Sequence, residues 1–212
     1  LMTKSWQEIP HYHVTKRLDL SVMSEQLAVY NDERTITARV VPGAVLLAAA
    51  ARAVAAVPAC NGWWRDGGFE PATGVALGVV LSLRTGGLIV PTIEHAETLT
   101  VAETMTRLTE LVQRARQGRL RASDLAPASV TVTILGDLGA DAVAGVIHPP
   151  QVALLGLGAV HDEVWPAEGG AVVRPTVHAD LAGDHRAIDG STGSRLLTQM
   201  QTQLNTIAWE TP

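Results

Sequence analysis

Residues 176–190 read TVHADLAGDHRAIDG, and this stretch leads from a predicted strand through a loop of ionisable side chains into a predicted helix. Residues 176–182 have the length and composition of a β-strand. Beyond Gly190, apolar side chains recur at helical spacing and predict a helix from about Ser191. Loops at such junctions present reactive groups on a rigid scaffold, and this loop carries His185 and Asp189, four positions apart.

Outward from this junction, helices and strands are interspersed along the chain. Thr100 and Glu103 form a capping box, which predicts a helix that ends at Gly118. The order lacks the regular alternation of a doubly wound sheet, so we predict an α/β fold of the two-layer α+β sandwich kind: a mixed β-sheet with helices on one side. Further predictions are helices at 21–30 (capped by Ser21) and 42–57, strands at 12–20, 74–83, 88–90, 130–135 and 152–156, and turns at 85–87 and 136–139.

Composition limits the classes of protein to consider. The 212 residues are 47% hydrophobic and 17% charged, which is enough apolar material for a sizeable core. A net charge of -5 argues against nucleic acid and anionic membranes as partners. The single cysteine, Cys60, excludes a disulfide within the chain and a thiolate zinc site. We therefore predict a protein of the reducing cytoplasm, with Cys60 as a structural thiol.

The most apolar stretch runs from Val40 to Cys60 and contains Pro42, Arg52 and Pro58. Its uncharged part is shorter than the ~20 residues that span a bilayer, so we predict a buried helix and no membrane anchor. The first residues have no apolar signal core. A chain that begins with Leu1 is expected to be a piece of a longer protein.

The loop suits acid–base chemistry on a thiol. A neutral imidazole with a pKa near ~6.5 matches a thiol with a pKa near ~8.5, so His185 is a candidate general base. Asp189 could orient that ring or pair with an arginine. The motif alone is weak, because a surface loop that caps a helix has the same residues.

Five blocks in order resemble the acyltransferase subunits of 2-oxoacid dehydrogenase complexes, a family related to chloramphenicol acetyltransferase. The string DHRAIDG at 184–190 is similar to the active-site signature of that family. The other blocks are IPH at 9–11, GGLIVP at 86–91, the basic stretch ARQGRL at 115–120 followed by SDL at 123–125, and HPPQVALLG at 148–156. Together they cover nearly the whole chain.

The resemblance implies roles for four residues. His185 would be the catalytic base that deprotonates coenzyme A. Thr133 matches a hydroxyl that donates to the tetrahedral oxyanion. Asp189 matches a structural Asp or Asn, either holding the loop or acting electrostatically. Leu155 matches a position that lines the coenzyme A channel, and plain core is its alternative.

The resemblance also implies an assembly. Residues 1–212 would be one acyltransferase catalytic domain, with the lipoyl and peripheral-subunit-binding domains absent. Homotrimers, each site shared between two subunits, would build a larger core served by a 2-oxoacid decarboxylase and dihydrolipoamide dehydrogenase. The substrates would be coenzyme A and a lipoyl group on a separate domain.

The sequence departs from the family pattern at two places: Ile134, where Asn is usual, and Gly183, where a larger residue is common. A wider acyl pocket at Gly183 would favour branched acyl groups, so the complex could be of branched-chain or pyruvate type.

Three other interpretations fit parts of the sequence. His178, Asp180, Asp184, His185 and Asp189 cluster in sequence and could bind zinc or iron. Thiol deprotonation needs no metal, so we predict none. A catalytically silent core subunit is disfavoured because His185, Asp189 and Thr133 are all retained. A free-standing coenzyme A-dependent acetyltransferase acting on a small molecule fits the basic and HPPQ blocks less well.

Overall fold

The computed structural model describes residues 1–83, 86–136 and 139–210. The predicted turns at 85–87 and 136–139 fall partly outside these ranges. The helices are α1 (Met2–Glu8), α2 (Ser21–Asp32), α3 (Pro42–Ala56), α4 (Val101–Arg116) and α5 (Gly190–Thr206). The strands are β1 (His11–Asp19), β2 (Gly62–Arg65), β3 (Gly68–Pro71), β4 (Leu77–Val79), β5 (Leu81–Ser82), β6 (Leu88–Ile89), β7 (Thr92–Ile93), β8 (Val130–Ile134), β9 (Ala153–Leu157), β10 (His161–Ala167) and β11 (Gly170–Asp184).

One mixed sheet organises the domain, as predicted. Its strand order is β1-β11-β9-β8-β4-β7, and β10 pairs with the outer half of β11. The pairs β4/β8 and β8/β9 are parallel, whereas β1/β11, β9/β11 and β4/β7 are antiparallel. The pairs β2/β3 and β5/β6 form two small separate ribbons.

The main core lies between this sheet and the helices. Leu181, Leu155 and Val132 stand in one row across β11, β9 and β8, and all are buried in the main core. Helix α3 fits into this layer because its alanines let the backbone pack closely, and most of its residues are buried. The stretch Ile36–Ala56 is apolar and long enough to cross a membrane, but 61% of its apolar window is buried in the domain. The predicted buried helix is therefore confirmed.

The opposite face of the sheet is covered in part by the segment 139–151. Ile147 from this segment packs with Ile9, Leu154 and Ala182 in a second small core. The segment lies so close that a Cβ at Gly158 would stand 1.8 Å from the carbonyl oxygen of Asp141. A glycine is required there, and the loop backbone can rest directly on the strand.

Local differences from the sequence predictions have identifiable causes. The apolar run at 74–83 is divided into β4 and β5, which join different sheets. Ser21 does not cap α2: its N–H and hydroxyl donate to the Asp19 carboxylate, which holds the strand–helix corner. The strand predicted at 176–182 is the inner half of β11, and its outer half forms a hairpin with β10 that the sequence analysis missed.

Candidate active site

His185 follows directly on the end of β11, at the edge of the sheet where β1 begins. Its backbone N–H donates to the carbonyl of Pro10 at 3.0 Å. Its ring lies against Tyr12, with the ring centroids 4.9 Å apart and the planes inclined at 53°. The imidazole is exposed in the single chain. The β1/β11 pairing therefore fixes the backbone of His185 and leaves its ring accessible.

Tyr12 ties the strand to the helix that follows the loop. It stands opposite Gly183 in the β1/β11 register, and its hydroxyl donates to the Asp189 carbonyl at 2.6 Å. Burial raises the pKa of the Tyr12 phenol, so the hydroxyl stays protonated and remains a donor. Sequence analysis missed this residue, because an aromatic residue in a strand carries no signal beyond packing.

Asp189 is the N-cap of α5. Its carboxylate accepts the Thr192 backbone N–H at 2.8 Å and the Ser191 hydroxyl at 2.9 Å. These bonds, the one from the Thr192 backbone first, lower the pKa of Asp189 to about 2. The contacts of this carboxylate are thus with the first turn of the helix. In the described part of the chain, no arginine forms an ion pair with it.

The arginine of the loop pairs with Asp184 instead. Asp184 is fully buried, and its carboxylate accepts Arg186 Nη2 at 2.6 Å and Arg186 Nε at 2.9 Å. The Arg186 backbone N–H donates to the same carboxylate at 3.0 Å, and its guanidinium lies 4.9 Å from the centroid of the Trp64 ring. These contacts fix the residues on both sides of His185. In the sequence, only the closeness of Asp184 and Arg186, two positions apart, indicated that they could pair.

The expectation that Gly183 widens an acyl pocket is wrong. A Cβ at position 183 would lie 2.4 Å from Cε1 of Tyr12 and 2.8 Å from its hydroxyl. The space next to Gly183 is therefore filled by the Tyr12 ring. Gly183 is small because the tyrosine crosses over it.

Thr133 lies far from His185 within one chain. In β8 it stands in register with Gly156 of β9, which pairs with Asp180 of β11. His185 lies five positions beyond Asp180, or about 17 Å along the strand. Thr133 also shares the sheet face of Asp180, opposite to the helix-covered face on which Tyr12 packs. One chain alone does not bring the two side chains together.

Two further predicted residues have defined surroundings. Thr133 as a residue is 8% exposed, and no described residue hydrogen-bonds its hydroxyl, whereas the Thr131 hydroxyl donates to Gln151 at 2.8 Å. Leu155 is buried in the main core. Its role in lining a coenzyme A channel stays a prediction.

Cys60 and the predicted histidine–carboxylate cluster have other roles. Burial raises the pKa of the Cys60 thiol to about 12, as expected for a structural thiol. The Asp180 carboxylate accepts hydrogen bonds from the His13 ring and the Thr15 hydroxyl. The His178 ring is within hydrogen-bond distance of the Glu163 carboxylate. The cluster considered for a metal is therefore divided among separate contacts.

The mixed sheet with helices on one side defines a class of two-layer α/β domains that includes chloramphenicol acetyltransferase. A solved structure of that enzyme matches 96% of this chain and 94% of its own, with a TM-score of 0.57 and 12% identity. Within this class, the chain belongs to the 2-oxoacid dehydrogenase acyltransferase family. Residues 1–209 match the family described as "2-oxoacid dehydrogenases acyltransferase (catalytic domain)".

A curated relative is the acetyltransferase component of the acetoin cleaving system of Bacillus subtilis, 33% identical over 87% of this chain and 46% of the relative. The chain spans less than half the length of the first curated relatives it matches. A probable dihydrolipoamide acetyltransferase from Listeria monocytogenes has a TM-score of 0.88 at 22% identity, covering 100% of this chain and 91% of that one. The solved structure of the Azotobacter vinelandii dihydrolipoamide acetyltransferase has a TM-score of 0.86 at 23% identity, covering 97% of this chain and 85% of that one.

Proposed function

We propose that this domain transfers an acetyl group between a dihydrolipoyl thioester and coenzyme A, with His185 of one subunit and Thr133 of its neighbour in each site. The Azotobacter vinelandii structure was determined to study the roles of a serine, a histidine and an asparagine in catalysis. In that enzyme the serine precedes the histidine by 52 residues and the asparagine follows by four. The same spacings separate Thr133 from His185 and His185 from Asp189. This agreement in spacing is the main support for assigning Thr133, His185 and Asp189 to the site.

The separation within one chain supports a site shared between subunits. The proposed mechanism requires the base and the oxyanion donor to reach the same thioester, within a few ångströms of its reacting atoms. About 17 Å of strand and the thickness of the sheet stand between them in one chain. A homotrimer solves this by placing the His185 edge of one copy over the Thr133 face of the next.

The chemistry follows from the side chains. The unprotonated nitrogen of His185 takes the proton of the coenzyme A thiol, and the thiolate attacks the acyl carbonyl. The oxyanion of the tetrahedral intermediate accepts a hydrogen bond from the Thr133 hydroxyl, a contact worth about 3 kcal/mol in comparable sites. The carbon–sulfur bond to the lipoyl group then breaks, and the imidazolium returns the proton to that sulfur. Asp189 positions the loop by capping α5, and the Arg186–Asp184 pair holds the residues beside the base.

An acetyl group is favoured over a branched one. The Tyr12 ring fills the space that a glycine at 183 would otherwise open. The Bacillus subtilis and Caenorhabditis elegans relatives are both named as acetyltransferases, of an acetoin cleaving system and of a pyruvate dehydrogenase complex. We therefore propose a complex of the pyruvate or acetoin type over the branched-chain type.

The proposed setting is the core of a multienzyme complex in the cytoplasm. A solved relative is the cubic core of a pyruvate dehydrogenase complex. Trimers of this chain would build a comparable core. The lipoyl group would be carried in by a separate domain, and a 2-oxoacid decarboxylase and dihydrolipoamide dehydrogenase would load and reoxidise it. No metal takes part in the proposed transfer.

Two alternatives make different predictions. A silent core subunit would assemble into trimers without transferring acetyl groups. A free-standing acetyltransferase would accept a small-molecule alcohol or amine in place of dihydrolipoamide. Assays of acetyl transfer from acetyl-coenzyme A to dihydrolipoamide, and to a small-molecule panel, discriminate the three.

The decisive experiment mixes two inactive variants. His185→Ala and Thr133→Ala are each expected to keep at most about 1% of wild-type activity as homo-oligomers. In trimers assembled randomly from equal amounts of both, about a quarter of the sites receive an intact histidine and an intact threonine. Acetyl transfer should recover to that fraction of wild type after co-expression. A mixture that stays inactive, with native mass spectrometry showing mixed trimers, would overturn the shared site.

A further inference from the structure

Two histidines and a glutamate meet on the outer strands of the sheet, away from the residues assigned to acetyl transfer. His161 and Glu163 lie two positions apart on β10, and His178 lies on the neighbouring strand β11. One nitrogen from each imidazole and one oxygen of the carboxylate all lie within 4.8 Å of one another. The three side chains are between 19% and 33% exposed, so the cluster is reachable from solvent.

The carboxylate is held in place by several partners. Oε1 of Glu163 lies 2.9 Å from Nε2 of His161 and 3.1 Å from Nε2 of His178. Oε2 accepts Nη1 of Arg17 at 2.9 Å, and this guanidinium also lies 4.8 Å from the centroid of the Trp165 ring. Arg17 therefore fixes one oxygen and leaves the other to the two imidazoles.

The hydrogen-bond geometry of His161 sets two acceptor atoms opposite each other whenever its imidazole is neutral. Its Nδ1 lies 3.1 Å from the carbonyl oxygen of Ala159, which can only accept, so Nδ1 carries the hydrogen. A neutral imidazole then has a lone pair on Nε2, and that lone pair faces Oε1 of Glu163, which is also an acceptor. Either a second proton or a metal ion must lie between these two atoms. A hydrogen bond from the other ring nitrogen to a backbone carbonyl is the usual support of a histidine ligand.

The two nitrogen–oxygen separations are close to those around a tetrahedral metal. Zinc binds imidazole nitrogen and carboxylate oxygen at about 2.0–2.1 Å, which puts neighbouring ligand atoms about 3.3 Å apart. The two nitrogen–oxygen separations of 2.9 and 3.1 Å are slightly shorter than this. Shifts of a few tenths of an ångström at partly exposed side chains would open the space.

We propose that His161, Glu163 and His178 bind one Zn²⁺ ion, with water as the fourth ligand. On binding, His161 gives up the proton on Nε2 and keeps the one on Nδ1, while His178 takes the tautomer with hydrogen on Nδ1. The ion ties the start of β10 to β11. Among the described strands, β10 pairs with β11 alone. The ion would therefore add a second link between β11 and a strand that has a neighbour on one side only.

The test is zinc binding by the purified, tag-free full chain after treatment with chelator. Isothermal titration with Zn²⁺ should give one site per chain, and Co²⁺ should give the strong visible absorption of a tetrahedral complex. His161→Ala and Glu163→Gln should each weaken the affinity at least about 100-fold. His13→Gln is the matched control: it removes another histidine–carboxylate pair on the same sheet, His13 Nδ1 with Asp180 Oδ1 at 2.8 Å, and should bind zinc as the wild type does.

The contrary outcomes are equally defined. Fewer than about half a zinc per chain in the wild type would show that the cluster holds a proton and no metal, and would overturn the proposal. So would a wild-type affinity in Glu163→Gln, or an equal loss in His13→Gln. Glu163→Gln keeps the shape of the side chain, so the test remains decisive if His161→Ala fails to fold.

Discussion

Thr133 lies on the sheet face opposite to the one on which Tyr12 contacts the His185 ring, and His185 is five positions beyond Asp180, which shares the Thr133 row. Two groups proposed to act on one thioester cannot meet there within a single subunit. The arrangement becomes useful when the sheet face of one copy meets the exposed strand–helix junction of another. The Thr133 hydroxyl, with no hydrogen bond to any described residue, is then available to a substrate that enters between the copies.

The role of Thr133 can be measured by removing its hydroxyl. Thr133→Ala should lower kcat by about 10²–10³-fold, because a single oxyanion donor is lost. Thr133→Ser should keep most of the activity. Steady-state transfer from acetyl-coenzyme A to dihydrolipoamide provides the measurement. Thr131→Val is a suitable control: that hydroxyl is on the same strand and face but is bound to Gln151, so its loss should reduce stability more than kcat. Equal kcat in Thr133→Ala and wild type would exclude the proposed donor.

Asp189 should make the fold sensitive to acid. Its pKa is about 2 in the folded chain and about 3.9 in an unfolded one. The stabilisation by this carboxylate is therefore complete above about pH 4 and is lost as the pH falls through 2. Asp189→Asn can still cap the helix but carries no charge. The melting temperature of wild type should fall more steeply between pH 4 and pH 2 than that of the variant. Parallel curves would show that the carboxylate contributes nothing through its charge.

The Arg186–Asp184 pair should be a stability feature of the loop. Arg186→Ala leaves the fully buried Asp184 carboxylate with one fewer partner, although the backbone N–H at 186 still binds it. Removing one member of a buried pair costs ~3–5 kcal/mol, and the 33% exposure of Arg186 reduces this to about 2–3 kcal/mol. Urea unfolding measures the change. Arg65→Ala, which breaks an exposed pair with Glu70, should cost less than about 1 kcal/mol. Similar losses in both variants would contradict the buried role.

The sequence predicted the parts of this domain that depend on local signals. The capping box at Thr100 and Glu103 is present with both of its hydrogen bonds, because its two side chains need only the first turn of α4. The mixed sheet with helices on one side was predicted from the way helices and strands are interspersed, whereas the order of its strands was not predicted. The hairpin of β10 and β11 was missed because Pro166 and Pro175 interrupt its strands, and prolines argue against a strand unless it lies at an edge.

The candidate site was predictable only as far as single residues. The positions of His185, Asp189 and Thr133 came from motifs, whereas their mutual arrangement depends on sheet register. The erroneous expectation at Gly183 shows the limit. A glycine in a strand indicates close approach of another group, but the sequence does not say whether that group is a ligand or, as here, the Tyr12 ring.

Gly183→Ala distinguishes these two meanings. The added methyl would overlap the Tyr12 ring, whose Cε1 would lie 2.4 Å away, so the ring must move from its place beside His185. We expect a loss of about 1–3 kcal/mol of stability, as for other overpacked sites, and slower turnover with acetyl- and isobutyryl-coenzyme A alike. The ratio of the two rates should stay within about twofold of wild type, with acetyl preferred, since a change of one methylene in a real acyl pocket shifts such ratios about 10-fold or more.

Tyr12→Phe, which loses only the hydrogen bond to the Asp189 carbonyl, is the control and should leave the ratio unchanged. A variant of unchanged stability that discriminates more strongly against isobutyryl would place Gly183 in the acyl pocket after all.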